Sequence, residues 1–377
     1  MLTTVRPIRL LIAAAAALAL FAPQALRAAC IETRHAVPPA RLQAMARGFN
    51  LAGQLDTAGA ALMRPELLRR LYQQGMRYIR LPVPAEAVMP QFTAATAIES
   101  RLQDVNRVTG QLTGIGYAVM IDLHPGAQFN ALHRDRPAEA MTALKAAWSS
   151  LARVVGRFPP DRIFAELLNE PDVSAERWNA DLPQLATFVR QLLPDTTLIA
   201  GPVNWQRADS LPDFKPLDDP NIVYALHFYD PMAFTHQGHW DMNDPLSDIR
   251  KLPFPVARDD TTVIGLRMKL QAEQKQRALR ELDAAIALSE NGDLVARQLD
   301  PALRWQDRYR RPLIINEFGV LKHHAPAASR TAWIRSVAGF AEANCMGWAH
   351  WEFAQGFGML NERQELDEDT VRALLRR

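Results

Sequence analysis

Cysteine is scarce in this chain of 377 residues, and no surplus of charge of one sign is present. The two cysteines, Cys30 and Cys345, exclude a small fold held together by many disulfides. Lys and Arg number 43 against 41 Asp and Glu, so no global charge attracts nucleic acid or an anionic membrane. Hydrophobic residues make up 48% of the chain, which excludes a disordered or collagen-like protein. We therefore expect a globular protein that does not bind nucleic acid.

Long apolar runs are also missing, apart from one near the N-terminus. Residues 10–22 are all apolar, but a bilayer span needs about 20 such residues. Arg6 and Arg9 precede this run, and small residues follow it up to Ala28 and Ala29, which are the three parts of a secretory signal. We predict that residues 1–29 are a signal peptide cleaved after Ala28 or Ala29. The mature chain would then be periplasmic or secreted, with no stable membrane span, and a retained N-terminal anchor is the alternative.

Removing this segment leaves 40 bases and 41 acids, so the mature chain would be nearly neutral. Export would also favour oxidation of the two thiols. A disulfide between Cys30 and Cys345 is therefore one hypothesis, and a free, buried Cys345 is the other.

Eight short apolar runs alternate with helix-like stretches from residue 48 onward. Strands that alternate with helices pair in parallel and are covered by the helices, so the pattern predicts an α/β fold, specifically a (β/α)8 TIM barrel. A doubly wound open sheet is the alternative, but residues 51–55 are not the Gly-rich phosphate turn typical of it. The predicted strands are 48–52, 76–83, 117–123, 162–169, 197–201, 222–228, 312–318 and 346–353, and helical spacing marks 66–74, 138–155, 176–193 and 328–343.

The interval between the sixth and seventh predicted strands is abnormally long. It holds a loop rich in Pro and Asp and a charged stretch that predicts one helix over about 266–289. Segments of this length in a compact domain are usually functional. We expect a single catalytic domain over residues 30–377, with an insertion at about 230–310 that lies over the barrel mouth.

Polar and aromatic residues collect where these apolar runs end. The carboxyl ends of parallel barrel strands carry the active site, and burial of a charge there is costly unless the charge is paired or used. Two carboxylates facing each other suit cleavage of a glycosidic bond, with one as acid and the other as nucleophile or as base for water. The residues at these ends are Arg80, His124, Asn169, Glu170, His227, Tyr229, Glu317 and Trp351.

Several of these residues lie in motifs that resemble those of glycoside hydrolase family 5, the cellulase-type retaining β-glycosidases of clan A. The two strongest are Leu168-Asn169-Glu170-Pro171 and Ile315-Asn316-Glu317-Phe318-Gly319. The resemblance continues through Arg80-Leu81-Pro82-Val83, Asp122-Leu123-His124, His227-Phe228-Tyr229 and Trp351, and it spans about residues 47–353. It implies a retaining hydrolase that cleaves a β-linked glucan by double displacement.

The resemblance also implies a role for each matching position. Glu170 would be the general acid and then base, and Glu317 the nucleophile. Asn169 would bind the sugar 2-hydroxyl, and Trp351 would lie beneath the sugar ring. The remaining expected substrate-binding residues are Arg80 and Tyr229 beside Glu317, where Arg80 would keep the nucleophile ionised, and His124 and His227 at the subsite where the sugar distorts.

Alternatives remain open from the sequence. The chain could be a β-mannan-acting or transglycosylating member of the same family, or a catalytically silent carbohydrate-binding barrel. A metal-dependent amidohydrolase is disfavoured because no His-x-His pair follows the first strand. We expect no cofactor, no metal and a monomer that acts on an oligo- or polysaccharide. Trp205 and Trp240 could be sugar platforms or packing residues, and His133, His236 and His239 are expected in solvated loops.

Overall fold

The computed structural model describes residues 37–56, 63–290 and 292–376. The predicted signal peptide and Cys30 lie outside these ranges. Cys345 is disulfide-bonded, which removes the alternative of a free thiol at that position. Among the helices of the described residues, none is both long and apolar enough to cross a bilayer.

Eight parallel strands form a closed barrel in sequential order, with β1 paired to both β2 and β8. The predicted (β/α)8 TIM barrel is therefore confirmed. The boundaries differ by a few residues, most at the fourth and eighth strands, which end earlier than predicted. The strands are β1 Arg47–Asn50, β2 Tyr78–Pro84, β3 Ala118–His124, β4 Ile163–Glu166, β5 Thr197–Ala200, β6 Ile222–Phe228, β7 Leu313–Phe318 and β8 Gly347–His350.

Helices surround the barrel and bury their apolar faces against the outer side of the strands. The helices before β6 are α1 Pro39–Ala44, α2 Pro65–Gln74, α3 Ala95–Ile115, α4 Ala127–Asp135, α5 Pro137–Val155, α6 Ala175–Leu192 and the short α7 Val203–Gln206. Those after β6 are α8 Met232–Thr235, α9 Thr261–Ala272, α10 Gln276–Ser289, α11 Leu294–Gln298, α12 Asp300–Tyr309, α13 Ala327–Ala343 and α14 Glu368–Leu375. Three 3-10 turns are Ala85–Val88, Ala208–Asp213 and Pro245–Asp248.

The segment between β6 and β7 holds five of these helices and packs into the main hydrophobic core. The single helix expected at about 266–289 is wrong, because the structure has α9 and α10 separated by a break. At the break Gln274 has a left-handed φ of 54°, and the Lys275 N–H returns to the Leu270 carbonyl at 2.9 Å. That return bond satisfies a carbonyl at the end of α9 and terminates the helix.

Side chains inside the barrel change from apolar to polar along the strands. Alternate residues of a strand point to the same face of the sheet. A polar residue that follows an inward-pointing apolar residue by two positions therefore also points into the barrel. Arg80, Asp122 and Glu166 occupy such positions and are fully buried. The apolar layer below them consists of Val37, Met45, Tyr78, Ala118, Met120, Phe164, Ile199, Val223, Ala225, Ile314 and Ala349.

An irregularity in the pairing of β6 and β7 adds two more polar groups to this layer. His227 lies opposite Glu317, and Asn316 is left out of the register. Such bulges redirect side chains and are common next to active sites. As a result, two consecutive residues reach the buried cluster: Asn316 Nδ2 donates to Glu166 at 2.9 Å, and Glu317 accepts from Arg80.

Candidate active site

A single buried guanidinium lies at the centre of the barrel mouth. Arg80 comes from the middle of β2 and has no solvent exposure. A guanidinium has five N–H donors in a fixed planar fork, and here all of them find oxygen acceptors. Nε donates to Glu166 Oε2 at 2.6 Å. Nη1 donates to Glu317 Oε1 at 2.5 Å and to Asn50 Oδ1 at 3.0 Å. Nη2 donates to Asn169 Oδ1 at 2.7 Å and to Glu166 Oε1 at 3.1 Å, and it also lies 3.0 Å from Asp122 Oδ2.

Three carboxylates therefore share one positive charge. Burial alone disfavours the charged guanidinium, but Asp122, Glu166 and Glu317 outweigh it and raise the pKa of Arg80. Sequence reasoning missed Glu166 and Asn50 and gave no role to Asp122. A signal existed for Glu166, because it is a lone acid inside the apolar run that forms β4.

Glu317 lies at the end of β7 with its carboxylate held by two donors. Arg80 donates to Oε1 at 2.5 Å and the Tyr229 hydroxyl donates to Oε2 at 3.1 Å. Burial is the largest influence and raises the pKa of this carboxyl, against the opposing charge of the Arg80 guanidinium. The expectation that Arg80 simply keeps Glu317 ionised is thus incomplete, because the guanidinium is divided among several acids. Burial and the neighbouring Glu317 likewise raise the pKa of Tyr229, so its hydroxyl keeps its proton.

Glu170 follows β4 in a loop and has an unusual backbone, with a φ of 40°. Its N–H donates to Gln206 Oε1 at 2.8 Å, and its Oε1 lies 2.7 Å from His227 Nδ1. Burial raises the pKa of the Glu170 carboxyl to about 7, although His124 and Arg80 act in the opposite direction. This carboxyl is therefore largely protonated below neutral pH.

The two glutamates approach each other across the mouth. One oxygen of each carboxylate and Nδ1 of His227 all lie within 4.8 Å of one another. Burial lowers the pKa of His227 to about 4, so its ring is neutral. These are residue types that bind divalent metals. The cationic guanidinium of Arg80, 2.5 Å from Glu317 Oε1, disfavours a second cation beside this carboxylate.

His124, Asn169 and Trp351 complete the set of predicted site residues. His124 Nδ1 lies 2.8 Å from Asp122 Oδ2. Burial lowers the pKa of His124, but the negative charge of Asp122 outweighs burial, so the pKa is raised overall. Its Nε2 is 3.4 Å from the Asn169 amide nitrogen. The ring stacks on Trp351 with a centroid distance of 6.0 Å and an interplanar angle of 18°. The structure thus brings all eight predicted residues together at one end of the barrel.

Other histidines differ from expectation. His133 does not lie in a solvated loop: it is buried in α4, with Nε2 3.2 Å from Asp181 Oδ2, and burial lowers its pKa. His236 is only half-buried and packs edge-on against Tyr229 and Phe357, each at 5.1 Å. His133 is part of the core, whereas His236 belongs to the wall of the mouth.

A cavity of about 350 Å³ at the mouth is lined by Glu170 but not by Glu317. Trp205 lines it and is 66% exposed, so this residue is not a packing residue. Trp240 is 70% exposed and stacks on His239 at 4.0 Å. Two larger concavities, of about 510 and 610 Å³, are lined by other residues and contain neither glutamate. The lining of the smaller cavity is His124, Pro125, Asn130, Asn169, Glu170, Pro171, Asp172, Val173, Val203, Asn204 and Trp205.

Comparisons with known proteins agree with this arrangement. A family model described as Cellulase (glycosyl hydrolase family 5) matches residues 44–355. Endoglucanase 3 of Fibrobacter succinogenes is 24% identical over 348 residues, which is 87% of this chain but only about half (52%) of that relative. Endoglucanase C of Acetivibrio thermocellus is 26% identical, covering 82% of this chain and 90% of the relative. The structure of Thermotoga maritima Cel5A in complex with mannotriose superimposes with a TM-score of 0.69 at 22% identity, covering 89% and 98% of the two chains.

Removal of the central guanidinium should destabilise the barrel strongly. We expect Arg80→Gln to lower the free energy of unfolding by about 3–5 kcal/mol, because it leaves buried carboxylates without their counter-charge. The matched control is Arg70→Gln, which removes an exposed pair with Glu368 worth about 0–1 kcal/mol. Urea unfolding of both variants measures the difference. Equal losses would show that the buried cluster does not stabilise the fold.

Proposed function

The chain belongs to the cellulase family, glycosyl hydrolase family 5, and from this premise we propose that it is an exported, retaining glycoside hydrolase that cleaves a β-linked glucan by double displacement. The observation that carries the proposal is the approach of Glu170 and Glu317 at the barrel mouth. Retaining enzymes place their two carboxyl groups about 5–5.5 Å apart, whereas inverting enzymes leave about 6.5–9.5 Å for a water molecule. One oxygen of Glu170 and one of Glu317 approach within 4.8 Å of each other, and on this close approach we propose retention.

The surroundings of the two carboxyls support different roles for them. Glu317 receives hydrogen bonds from Arg80 and Tyr229, which favour its ionised form as the nucleophile. Glu170 has no charged donor, and its pKa of about 7 suits a group that gives a proton and later takes one back. On this difference in donors we assign the proton to Glu170 and the negative charge to Glu317.

The reaction then follows from these positions. Glu170 gives its proton to the oxygen of the leaving sugar as Glu317 attacks the anomeric carbon, which breaks the glycosidic bond and forms a glycosyl ester on Glu317. Glu170, now a carboxylate, takes a proton from water as that water displaces Glu317. The sugar leaves with its original anomeric configuration, and Glu170 is again protonated.

The other site residues are proposed to bind the substrate. Trp351 presents an aromatic face of the kind that packs against the C–H face of a β-linked sugar. Asn169 is held by Arg80 and lies beside His124, where its amide can reach a sugar hydroxyl. His227 and Tyr229 contact the two glutamates and would lie closest to the distorted sugar.

The cavity beside Glu170 supports a polymeric substrate. It runs from His124 and Asn169, beside the proposed position of the distorted sugar, past Glu170 to Trp205, which gives room for a further sugar next to the acid. Trp205 offers an exposed aromatic face there. A glucan is favoured by the endoglucanase names of the sequence relatives, and a β-mannan is the second candidate because the Thermotoga structure holds mannotriose.

Export is supported by the charged start, apolar middle and small residues of the N-terminal sequence. The disulfide at Cys345 is consistent with an oxidising compartment. The single catalytic domain over residues 30–377, the monomeric state, and the covering of the mouth by the segment at about 230–310 are part of the same proposal.

A substrate panel tests the proposal directly. We expect activity on at least one of the β-1,3-, β-1,4- and β-1,6-linked glucans, with the β-anomer as the first product detected by proton NMR. Initial release of the α-anomer would contradict retention. Activity on mannan alone would replace the glucan assignment, and binding without turnover on every polymer would favour the silent carbohydrate-binding barrel.

Substitution of the two glutamates should separate their roles. We expect Glu317→Ala to lower kcat/KM by several orders of magnitude on every substrate, because it removes the covalent step. Glu170→Ala should lower it by about 10²–10⁴-fold on substrates with poor leaving groups and by far less on dinitrophenyl glycosides, which need no proton. The control is Glu139→Ala, an exposed acid on α5. A loss of equal size on both substrate types for Glu170→Ala would contradict its role as the acid.

The pH dependence should report the same proton. Glu170 must be protonated to act, so kcat/KM on a poor leaving group should fall as the pH rises through about 7. On a dinitrophenyl glycoside the fall should be much smaller. Profiles from pH 4 to 9 measure this, and a rate that stays flat to pH 9 on the poor leaving group would be inconsistent with the assignment.

A further inference from the structure

The turn after β5 has a backbone that its sequence does not favour. Asn204, Trp205 and Gln206 have consecutive left-handed φ values of 58°, 53° and 51°. Asparagine tolerates this conformation, but a tryptophan and a glutamine rarely adopt it. Strained backbone of this kind persists only where surrounding contacts hold it, and it is concentrated at functional sites.

The contacts that hold this turn pass through the Gln206 side chain. Gln206 is fully buried, and its Nε2 lies 3.4 Å from the Ala225 carbonyl of β6. It passes directly over Gly201: a Cβ at that glycine would lie 2.1 Å from Gln206 Nε2. The end of β5 therefore needs a residue without a side chain so that Gln206 can reach across it.

The far end of the same amide reaches Glu170. Gln206 Oε1 accepts the Glu170 N–H at 2.8 Å, beyond the last residue of β4. Glu170 itself has a left-handed φ of 40°. Two segments with left-handed backbone, one after β4 and one after β5, are thus joined by one partly buried hydrogen bond.

We infer that Gln206 is a positioning residue that fixes the main chain of Glu170. The Glu170 carboxyl then stays in contact with His227 and opposite Glu317, where it can give its proton to the oxygen of the leaving sugar. This inference rests on the proposed role of Glu170 as the acid. Gln206 does not touch the reacting atoms. It acts through the backbone of Glu170, because a rotation of that backbone moves the carboxyl away from the leaving oxygen.

The geometry makes proton donation sensitive to this bond. Without the acceptor, the Glu170 N–H loses its hydrogen bond to Gln206, and the left-handed backbone of Glu170 loses a contact that maintains it. A displacement of about 1 Å of a catalytic group can lower the rate about 10²-fold. The loss should fall on the step that needs the proton and leave the attack of Glu317 intact.

A series of aryl β-glycosides with leaving groups of increasing pKa tests the inference. In Gln206→Met, which keeps the length but removes the acceptor, we expect kcat/KM to fall about 10–100-fold for phenol and less than about 3-fold for dinitrophenol. The plot of log kcat/KM against leaving-group pKa should become steeper, as in Glu170→Ala but to a smaller extent. An unchanged slope, or a uniform loss across the series, would overturn the inference.

Two further variants keep the test independent of folding defects. Gly201→Ala should steepen the slope without removing either polar group, because its Cβ displaces the Gln206 amide. Gln206→Glu retains the acceptor oxygen and should keep a slope near that of the wild type at acidic pH. If Gly201→Ala leaves the slope unchanged, or if Gln206→Glu is as steep as Gln206→Met, the acceptor bond is not what positions Glu170.

A matched control separates positioning from general stability. Gln237 is equally buried, and its Oε1 accepts the Leu252 N–H at 2.8 Å. Gln237→Met should lower the melting temperature without changing the slope, and a steeper slope there would count against a specific role for Gln206. If Glu170→Ala itself leaves the slope unchanged, the proposed function fails. If Glu170→Ala steepens the slope and Gln206→Met does not, only the present inference fails.

Discussion

The architecture of the mouth follows from the burial of one positive charge. A guanidinium taken out of water is stable only when its N–H groups are hydrogen-bonded and its charge is balanced. Arg80 meets both conditions through oxygens from β1, β3, β4 and β7 and from the loop after β4. The polar residues at the upper ends of these strands are thus members of a single network, and the apolar layer beneath them keeps water from reaching it from below.

Division of that charge explains why the two glutamates differ. Glu317 belongs to the network and accepts a hydrogen bond from Arg80, whereas Glu170 lies at the edge of the network beside the neutral imidazole of His227. Burial raises the pKa of both carboxyls, although the Glu170 side chain is 26% exposed and the Glu317 side chain only 7%. The donors on Glu317 are the difference on which the proposed assignment of the proton to Glu170 rests, and with it the two proposed chemical roles.

The strand ends could be predicted from the sequence because an apolar run stops where the barrel opens to solvent. Arg80, Glu170 and Glu317 were found in this way, and the resemblance of their motifs to a known family supplied their expected roles. The fold class followed from the alternation of strands and helices.

Other features depend on pairing and on tertiary contacts that no local pattern contains. Asn316 reaches the buried cluster only because β6 and β7 pair with a skipped residue. The break at Gln274 and the left-handed turn at Gln206 occur at residues that normally continue a helix. Glu166 was within reach of sequence reasoning, since an acid inside an apolar strand must have a partner.

The turn that holds Gln206 also carries Trp205, which faces the cavity beside the acid. If the proposed roles hold, contact with the substrate and delivery of the proton both depend on adjacent residues of one loop, Trp205 and Gln206. Mutations that adapt the loop of Trp205 and Gln206 to a new polymer would disturb proton donation by Glu170 at the same time. Natural variation in this loop should therefore be constrained. Substrate preference would then change at lower cost to turnover at exposed positions that have no contact with Glu170, such as Trp240, whose ring stacks on His239.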